Sequence, residues 1–505
     1  MKRFENIVSV TLKYLWPIER SENNRFLPMA LMMLCVLFNY NVLRALKDSL
    51  VVPSIGAEAL SFVKLYCVVP VAVIVMIVYA KMTNTMRQQT IFYTMATSFL
   101  VFFLLFSFVL YPYQNILHPD PMRIKELSSE VVRLFGFELS LNHFKWFLSV
   151  YSKWTYVLFY VVAELWGSVM LSLLFWQFAN QITSTDQAKR FYPMYGLIGN
   201  IGLIIAGYLL KSFATLDSGS DDSSILISST TWAMVFAIIL IMFFYNHMNV
   251  RVLHSSEIAE DRYVKSHSKI SLLESFKVIL SSRYLGFIVI LLFSYGVTIN
   301  IIEGPWKARV RELYPSTASY AHFMGTLTQS TGVASMIAMI IGANVLRRVS
   351  WFSGAILTPL VLFVSGMGFF IFVVFDDYIY SSFGEFILLN PLVIAVMFGM
   401  IQNVLSKATK YSFFDPTKEM AYIPIDRELK TKGKAAVDIV GARLAKAMGA
   451  LLQSSLFIIF PAASYVTITP YLMIVFVIVA LIWIFDVKML YQEYKTFLTA
   501  KNSNK

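Results

Sequence analysis

The stretch FLPMALMMLCVLFNYNVLRALKDSL, residues 26–50, is an apolar run that ends in charged residues. Its length suits a helix that crosses a membrane, which needs roughly 17–25 mostly apolar residues. Tyr40, Arg44 and Lys47 fall at i, i+4 and i+7, so they share one face of that helix. Charged side chains at membrane depth are costly and are usually paired or face a water-filled path. The stretch therefore predicts a membrane helix with a functional polar face. The alternatives are snorkelling of Lys47 to the interface and neutralisation of one of the two cations by Asp48.

The whole chain has the composition of a membrane protein. Of its 505 residues, 57% are hydrophobic and 14% are charged, whereas a soluble protein has about 25% charged residues. The two cysteines, Cys35 and Cys67, lie in apolar runs without a CxxC or a Cys/His cluster. We expect them to be buried free thiols, and we expect neither a disulfide nor a metal site.

Apolar segments of membrane-spanning length recur along the sequence, and they predict an all-α polytopic membrane protein with twelve transmembrane helices. The expected spans are 26–46, 59–80, 91–111, 153–178, 192–212, 229–247, 284–304, 321–346, 351–376, 386–406, 436–460 and 469–488.

The basic residues are distributed unevenly between the loops. The termini and alternate loops hold about 28 Lys and Arg, against about 9 on the other side, which predicts that both termini face the cytoplasm. The net charge of +12 is thus largely explained by the basic residues of the cytoplasmic loops and termini, and we do not expect nucleic-acid binding.

A long polar segment falls after six expected spans and before six more, which predicts two six-helix halves. The expected regions are a cytoplasmic N-terminal segment 1–25, a first bundle 26–247, a cytoplasmic linker 248–283, a second bundle 284–488 and a cytoplasmic tail 489–505. Parallel halves with a substrate site between them form the major-facilitator-like layout, in which the halves rock against each other.

Two carboxylates lie within the expected spans. Glu164 is deep in VVAELWGSVMLSLLFW (161–176), where a short side chain cannot snorkel. Glu303 lies in the first helix of the second half, roughly where Lys47 lies in the first. This placement predicts a cation and a carboxylate on opposite sides of a central cavity. An ordinary cluster of interfacial charges is the alternative for Glu303.

Two further cations, Arg443 and Lys446, fall at i and i+3 within the eleventh expected span. The embedded carboxylates are too few to neutralise all the embedded cations. An excess of interior positive charge predicts a substrate with several negative charges, and phosphate groups suit both Arg and Lys. The embedded cations are Arg44, Lys47, Lys64, Arg443 and Lys446, and the embedded carboxylates are Glu164, Glu303 and Asp438.

Motifs for catalysis are absent from the sequence. It contains no GxxxxGK[ST], GxSxG or HExxH, so we expect neither an ATP-driven pump nor an enzyme. The residues thus predict a secondary transporter without a cofactor. A proton symporter for a neutral solute, with Glu164 as proton carrier, and a membrane enzyme or lipid-handling protein are the alternatives.

Three blocks resemble a known family. The blocks are WPIERSENNRFLPMALMMLCVLFNYNVLRALKD (16–48), AELWGSVMLSLLFWQFANQIT (163–183) and MIQNVLSKATKYSFFDPTKEMAYIPIDRELKTKGKAAVDIVGARLAK (400–446). They are similar to the nucleotide (ATP/ADP) translocases of obligate intracellular bacteria and plastids. The resemblance implies a major-facilitator-like fold in the cell inner membrane. It also implies exchange of cytoplasmic ADP for external ATP, with inorganic phosphate involved in some members.

The resemblance also implies which residues matter for transport. Four charged family positions correspond to Lys47, Glu164, Glu303 and Lys446. Around the last of these the family typically has Gly-Lys-Ser-Gly-Gly, whereas this chain has Ala-Lys-Ala-Met-Gly (445–449). Other nucleotides (GTP/GDP, CTP, UTP) or proton-coupled net import therefore stay open.

Together these points give one hypothesis for the site. Arg44, Lys47, Arg443 and Lys446 bind the phosphate chain from opposite halves of a central cavity, and Glu164 and Glu303 balance these cations in the empty state. Contact of the two carboxylates with the ribose or base, or a role in gating pairs, is the alternative. Tyr40 stacks on the base or only packs. The expected partners are ATP, ADP, phosphate and the bilayer, and the expected state is a monomer.

Overall fold

The computed structural model of the chain describes residues 16–134, 137–217, 222–252, 282–383, 390–425, 437 and 447–503. Eleven helices in this part are long and apolar enough to cross a membrane. We number them with one shorter apolar helix, α11, in chain order. They are α1 (Arg20–Ile55), α2 (Ala59–Thr85), α3 (Gln88–Leu110), α4 (Trp154–Ile182), α5 (Asp186–Leu216), α6 (Ser224–Val252), α7 (Arg283–Leu313), α8 (Thr317–Leu346), α9 (Trp351–Val374), α10 (Pro391–Ala421), α11 (Ala447–Ile459) and α12 (Tyr465–Thr499).

The expected twelve spans correspond to these helices, with one difference. The eleventh expected span, 436–460, is described only at residue 437 and from residue 447 onward, where it forms α11. The described helix has fewer than 18 residues, so the structure gives eleven candidate spans.

Helix α1 runs through the centre of the bundle and is buried along most of its length. Buried polar groups attach it to its neighbours: Asn39 donates from Nδ2 to the carbonyl of Met234 (3.2 Å), and Trp166 donates from Nε1 to the carbonyl of Val36 (3.0 Å). The helix ends at Gly56, whose φ of 99° favours glycine. We call the end of the bundle at which α1 ends and α2 begins the distal end.

Helices α5 and α8 pack antiparallel along their length and join the first six helices to the later ones. Small residues permit this approach, as in other membrane helix pairs. A Cβ on Gly207 would lie 2.5 Å from the carbonyl oxygen of Gly325 and from the amide nitrogen of Gln329. A Cβ on Gly332 would lie 2.8 Å from the side chain of Ile204. The backbones are therefore in direct contact at this interface.

Residues 111–134 and 137–153, which we call the distal segment, cover the distal end. It contains short helices and an antiparallel hairpin. The elements are the helices Gln114–Leu117, Pro121–Ser129 and Lys145–Ser152 with strands β1 (Val131–Leu134) and β2 (Phe137–Ser140).

The distal segment also reaches the later helices. The ring Nδ1 of His143 lies 2.7 Å from the carbonyl oxygen of Ile458 at the end of α11. Lys145 donates to the carbonyl of Pro461, in the connection from α11 to α12. The segment therefore links the two parts of the bundle across the distal end.

His118 in the distal segment gives a pH-dependent prediction. Burial, together with the nearby positive charge of Lys153, lowers the pKa of His118 to about 4, and its Nε2 lies 2.7 Å from the hydroxyl of Thr155. The folded-state pKa lies below the unfolded value of about 6.5, so folding stability is lost as the pH falls from about 6.5 toward 4. We expect acidification from pH 7 to 5 to lower the melting temperature, and His118→Gln to weaken this dependence by about 1 kcal/mol, allowing for partial exposure. An unchanged pH dependence in the variant would contradict the assignment.

Candidate functional site

Lys47 on α1 lies between two carboxylates. The residue is only 4% exposed, and its Nζ lies 3.2 Å from Asp48 Oδ1 and 2.9 Å from Glu164 Oε1 on α4. The ammonium also lies 3.7 Å from the centroid of the Tyr160 ring, a cation–π distance. Glu164 and Tyr160 are one helical turn apart on α4, so both reach the same cation. The structure thus brings together Lys47 and Glu164, two of the residues that the sequence singled out.

The contacts continue from Lys47 into the later helices. Asp48 Oδ2 lies 2.8 Å from Lys307 Nζ on α7, and the same ammonium lies 2.7 Å from Glu303 Oε1. The second oxygen of Glu303, Oε2, lies 2.8 Å from Lys64 Nζ on α2. We call the sequence Glu164–Lys47–Asp48–Lys307–Glu303–Lys64 the ion-pair chain.

The ion-pair chain is electrically neutral and crosses the bundle. Its three carboxylates alternate with three lysines, and Asp48 and Lys307 at its centre are each 1% exposed. Helices α1, α2 and α4 supply four members, and α7 supplies two. Charges this deep are tolerable only when all are paired, because removing one partner leaves an uncompensated buried charge.

This geometry corrects the charge comparison made from the sequence. Lys47 and Lys64 do not belong to an excess of interior positive charge, because Asp48 is fully buried and acts as a third interior carboxylate. The expected opposition of Lys47 and Glu303 is indirect, since Asp48 and Lys307 connect them.

The other predicted residues divide into two groups. Arg44 and Tyr40 on α1 are half-buried, and the Tyr40 ring packs so closely on Gly167 of α4 that a Cβ there would lie 2.7 Å from it. Within the described part of the chain, no carboxylate lies within 4.0 Å of the Arg44 guanidinium. Arg443 and Lys446 lie outside the described residues, so their expected placement stays a prediction.

Lys307 and Lys407 were not among the predicted site residues. The signal for Lys307 was available, since it follows Glu303 at i+4 on the same helix face. Lys407 lies near the end of the apolar part of α10, where a lysine suggests only an interfacial position. Its placement inside the bundle required the tertiary structure.

A small cleft adjoins the Lys64 end of the ion-pair chain. Its polar groups come from Lys64, Glu303, Asn300, Gln453 and Tyr465. Tyr465 donates from its hydroxyl to Gln453 Oε1 (2.6 Å), and Gln453 donates from Nε2 to the carbonyl of Asn300 (2.8 Å). These bonds join α7, α11 and α12 beside the contacts to α2, so the distal end is closed by polar contacts as well as by packing.

Comparison with known proteins identifies the family. The profile of the family described as TLC ATP/ADP transporter matches residues 2–494. The chain belongs to the TLC ATP/ADP transporter family. The ADP,ATP carrier protein 1 of Rickettsia typhi is 45% identical to it over 503 residues, which cover 99% of each chain. The ADP,ATP carrier protein 3 of Rickettsia bellii is 46% identical over 498 residues, 95% of this chain and 96% of the other.

Solved structures place this TLC family member in a fold class. The crystal structure of a bacterial homologue of the iron transporter ferroportin in an inward-facing state matches with a TM-score of 0.60 and 13% identity, over 94% of this chain and 99% of the other. A D-xylose–proton symporter matches with a TM-score of 0.55 and 12% identity, over 93% and 97%. At these identities the likeness shows the fold alone. The TLC transporter has the expected major-facilitator-like fold.

Proposed function

We propose that the protein is a secondary nucleotide transporter that exchanges ATP and ADP across a bacterial inner membrane. The observation that carries this proposal is the near-complete match to relatives named ADP,ATP carriers at about 45% identity. In this proposal both termini are cytoplasmic, as the basic loops indicate, and the distal end faces outward. A single chain that contains both bundles then functions as a monomer.

The mechanism that we propose is rocking of residues 26–247 against 284–488. With the distal end outward, the ion-pair chain and the distal segment close the external side. Opening that side requires separation of the Asp48–Lys307 and Lys64–Glu303 contacts, which join the two bundles. Each separation exposes charges that need new partners, and a bound polyphosphate supplies negative charge to the lysines. The empty carrier lacks this compensation, which favours exchange over net uniport.

Two alternatives make different predictions. A proton-coupled importer of nucleotides needs no substrate on the opposite side, and a symporter of a neutral solute is indifferent to nucleotides. The family and its relatives favour the ATP/ADP pair over GTP/GDP, CTP or UTP because their names specify that pair.

Uptake into liposomes that contain the purified protein tests the proposed function. We expect internal ATP to accelerate uptake of labelled external ADP about tenfold or more over empty liposomes, since each 1.4 kcal/mol of charge compensation is a factor of ten. An uncoupler should leave the exchange unchanged. Equal uptake into empty and loaded liposomes, or uptake that collapses with the uncoupler, would contradict exchange. Preloading with GTP, CTP or UTP measures the preference for the base.

A further inference from the structure

The connection from α1 to α2 carries a buried carboxylate that is not part of the ion-pair chain. Glu58 is 9% exposed, and its Oε1 accepts a hydrogen bond of 3.1 Å from the backbone N–H of Tyr465, which joins the first bundle to the second. Tyr465 is the first residue of α12, so no carbonyl of its own helix accepts from this N–H. A carboxylate at a helix N-terminus forms a charge-assisted hydrogen bond and suits the helix dipole. Glu58 therefore caps a helix of the other bundle.

Both partners of this bond are held by their own bundle. Ser61 donates from its hydroxyl to the carbonyl of Glu58 at 2.9 Å, across the first turn of α2. On the other side, the Tyr465 hydroxyl donates to Gln453 Oε1 on α11 at 2.6 Å, and the Tyr465 ring lies directly against Gly304 of α7. The bond thus joins two firmly held groups, and separation of the bundles at the distal end has to break it.

A glycine leaves room for this contact. A Cβ on Gly56 would lie 3.0 Å from Glu58 Oε2, and 3.3 Å both from Nη1 of Arg311 on α7 and from Cζ3 of Trp146 in the distal segment. Trp146 in turn packs on Phe457 of α11, with ring centroids 6.0 Å apart. The end of α1, the start of α2, the end of α7 and the distal segment therefore converge around one carboxylate.

This contact lies nearer to the distal end than the ion-pair chain does. Glu58 precedes Lys64 by six positions along α2, and Arg311 follows Lys307 by four positions on α7. At about 1.5 Å per residue, these spacings put Glu58 and Arg311 roughly 9 Å and 6 Å farther toward the distal end. The two bundles therefore meet in two layers, an inner layer of ion pairs and an outer layer around Glu58.

We infer that the bond from the Tyr465 N–H to Glu58 is an outer latch, which holds the external side closed in addition to the ion-pair chain. Once the bundles separate, water replaces each partner of this bond, so the latch stabilises the closed state without preventing its opening. Glu58 is thus a positioning residue for the transport cycle, and it contacts no substrate in this role. The inference deepens the proposed function, and it rests on the outward orientation of the distal end.

Cysteine labelling of the full-length protein tests the outer latch. Ala450 lines the cleft at the inner layer and is 3% exposed, so Ala450→Cys reports on opening of the distal end when the native cysteines are replaced. Glu58→Ala removes the acceptor, and Glu58→Gln puts an amide oxygen in its place. Glu126→Ala is the matched control, because Glu126 is an exposed glutamate of the distal segment.

We expect an impermeant maleimide, added from the outside without nucleotide, to label Ala450→Cys about ten- to hundredfold faster when Glu58→Ala is present. The reason is that a hydrogen bond to a charged group is lost from the closed state alone. Glu58→Gln should give a smaller increase, since its amide oxygen still accepts but carries no charge. Glu126→Ala should leave the labelling rate unchanged.

A second reporter distinguishes opening from unfolding. Ala355 is 3% exposed near the start of α9, at the end of the bundle opposite the distal end. Ala355→Cys should therefore stay protected from the external maleimide in Glu58→Ala. Labelling of Ala355→Cys at a similarly raised rate would show that the variant unfolds, and would overturn the latch.

The remaining outcomes separate the latch from the proposed function. An unchanged labelling rate of Ala450→Cys in Glu58→Ala would overturn the latch, whatever the protein transports. Absence of ATP-accelerated ADP uptake by the wild type would instead overturn the proposed function. In that case, faster labelling of Ala450→Cys in Glu58→Ala would still establish the latch, because the labelling assay contains no nucleotide.

Discussion

Asp48→Asn should reduce ADP/ATP exchange at least about a hundredfold while the protein still inserts into the membrane. Asp48, at the centre of the ion-pair chain, contacts lysines from both bundles, Lys47 at 3.2 Å and Lys307 at 2.8 Å. Asparagine keeps the shape but removes the charge that both lysines share. Removing one partner of a buried charge pair costs roughly 3–5 kcal/mol, and each 1.4 kcal/mol is a factor of ten.

The same variant should also open the distal end more often. Ala450 lines the cleft beside Lys64 and is 3% exposed, so Ala450→Cys reports on opening when Cys35 and Cys67 are replaced. We expect faster labelling by an impermeant maleimide, added from the outside, when Asp48→Asn is present. Asp186→Asn is the control, because the ion pair of Asp186 with Lys189 is exposed to solvent. Normal exchange together with normal labelling in Asp48→Asn would show that the ion-pair chain does not hold the distal end closed.

Gly207→Ala should lower exchange about tenfold or more and reduce the melting temperature by several degrees. The added Cβ would lie 2.5 Å from backbone atoms of Gly325 and Gln329, and backbone cannot rotate away as a side chain can. Overpacking of this kind costs typically 1–3 kcal/mol, of which each 1.4 kcal/mol is a factor of ten. Here the strain falls on the contact between α5 and α8, along which the two bundles meet.

Gly286→Ala is the matched control for this prediction. Gly286 is also within a helix, but a Cβ there would meet no atom within 4 Å. Alanine favours helix by about 1 kcal/mol over glycine, so this variant should be as stable as the wild type or more stable. Equal exchange rates and equal melting temperatures of the two variants would show that the close approach of α5 to α8 is required neither for transport nor for stability.

Sequence patterns were sufficient for the fold and for part of the site. The bilayer leaves few options for a chain with repeated apolar runs, because a spanning segment must satisfy its own backbone hydrogen bonds as a helix. The same cost of burial made Lys47, Glu164 and Glu303 recognisable, since a charge within an apolar run needs a reason. Their roles in transport remain predictions, as do those of Arg443 and Lys446, which lie outside the described residues.

The sequence by itself determined that this protein is a helical membrane bundle with charges in its interior, because hydropathy and burial cost are properties of each segment alone. Only the tertiary structure decided which charges neutralise each other. Asp48 and Lys307 are 259 positions apart in the sequence, yet their charged groups are 2.8 Å apart. Ion pairing depends on distances between helices, which no single segment encodes. For the same reason, only the structure shows that Lys47 and Lys64 are paired with carboxylates.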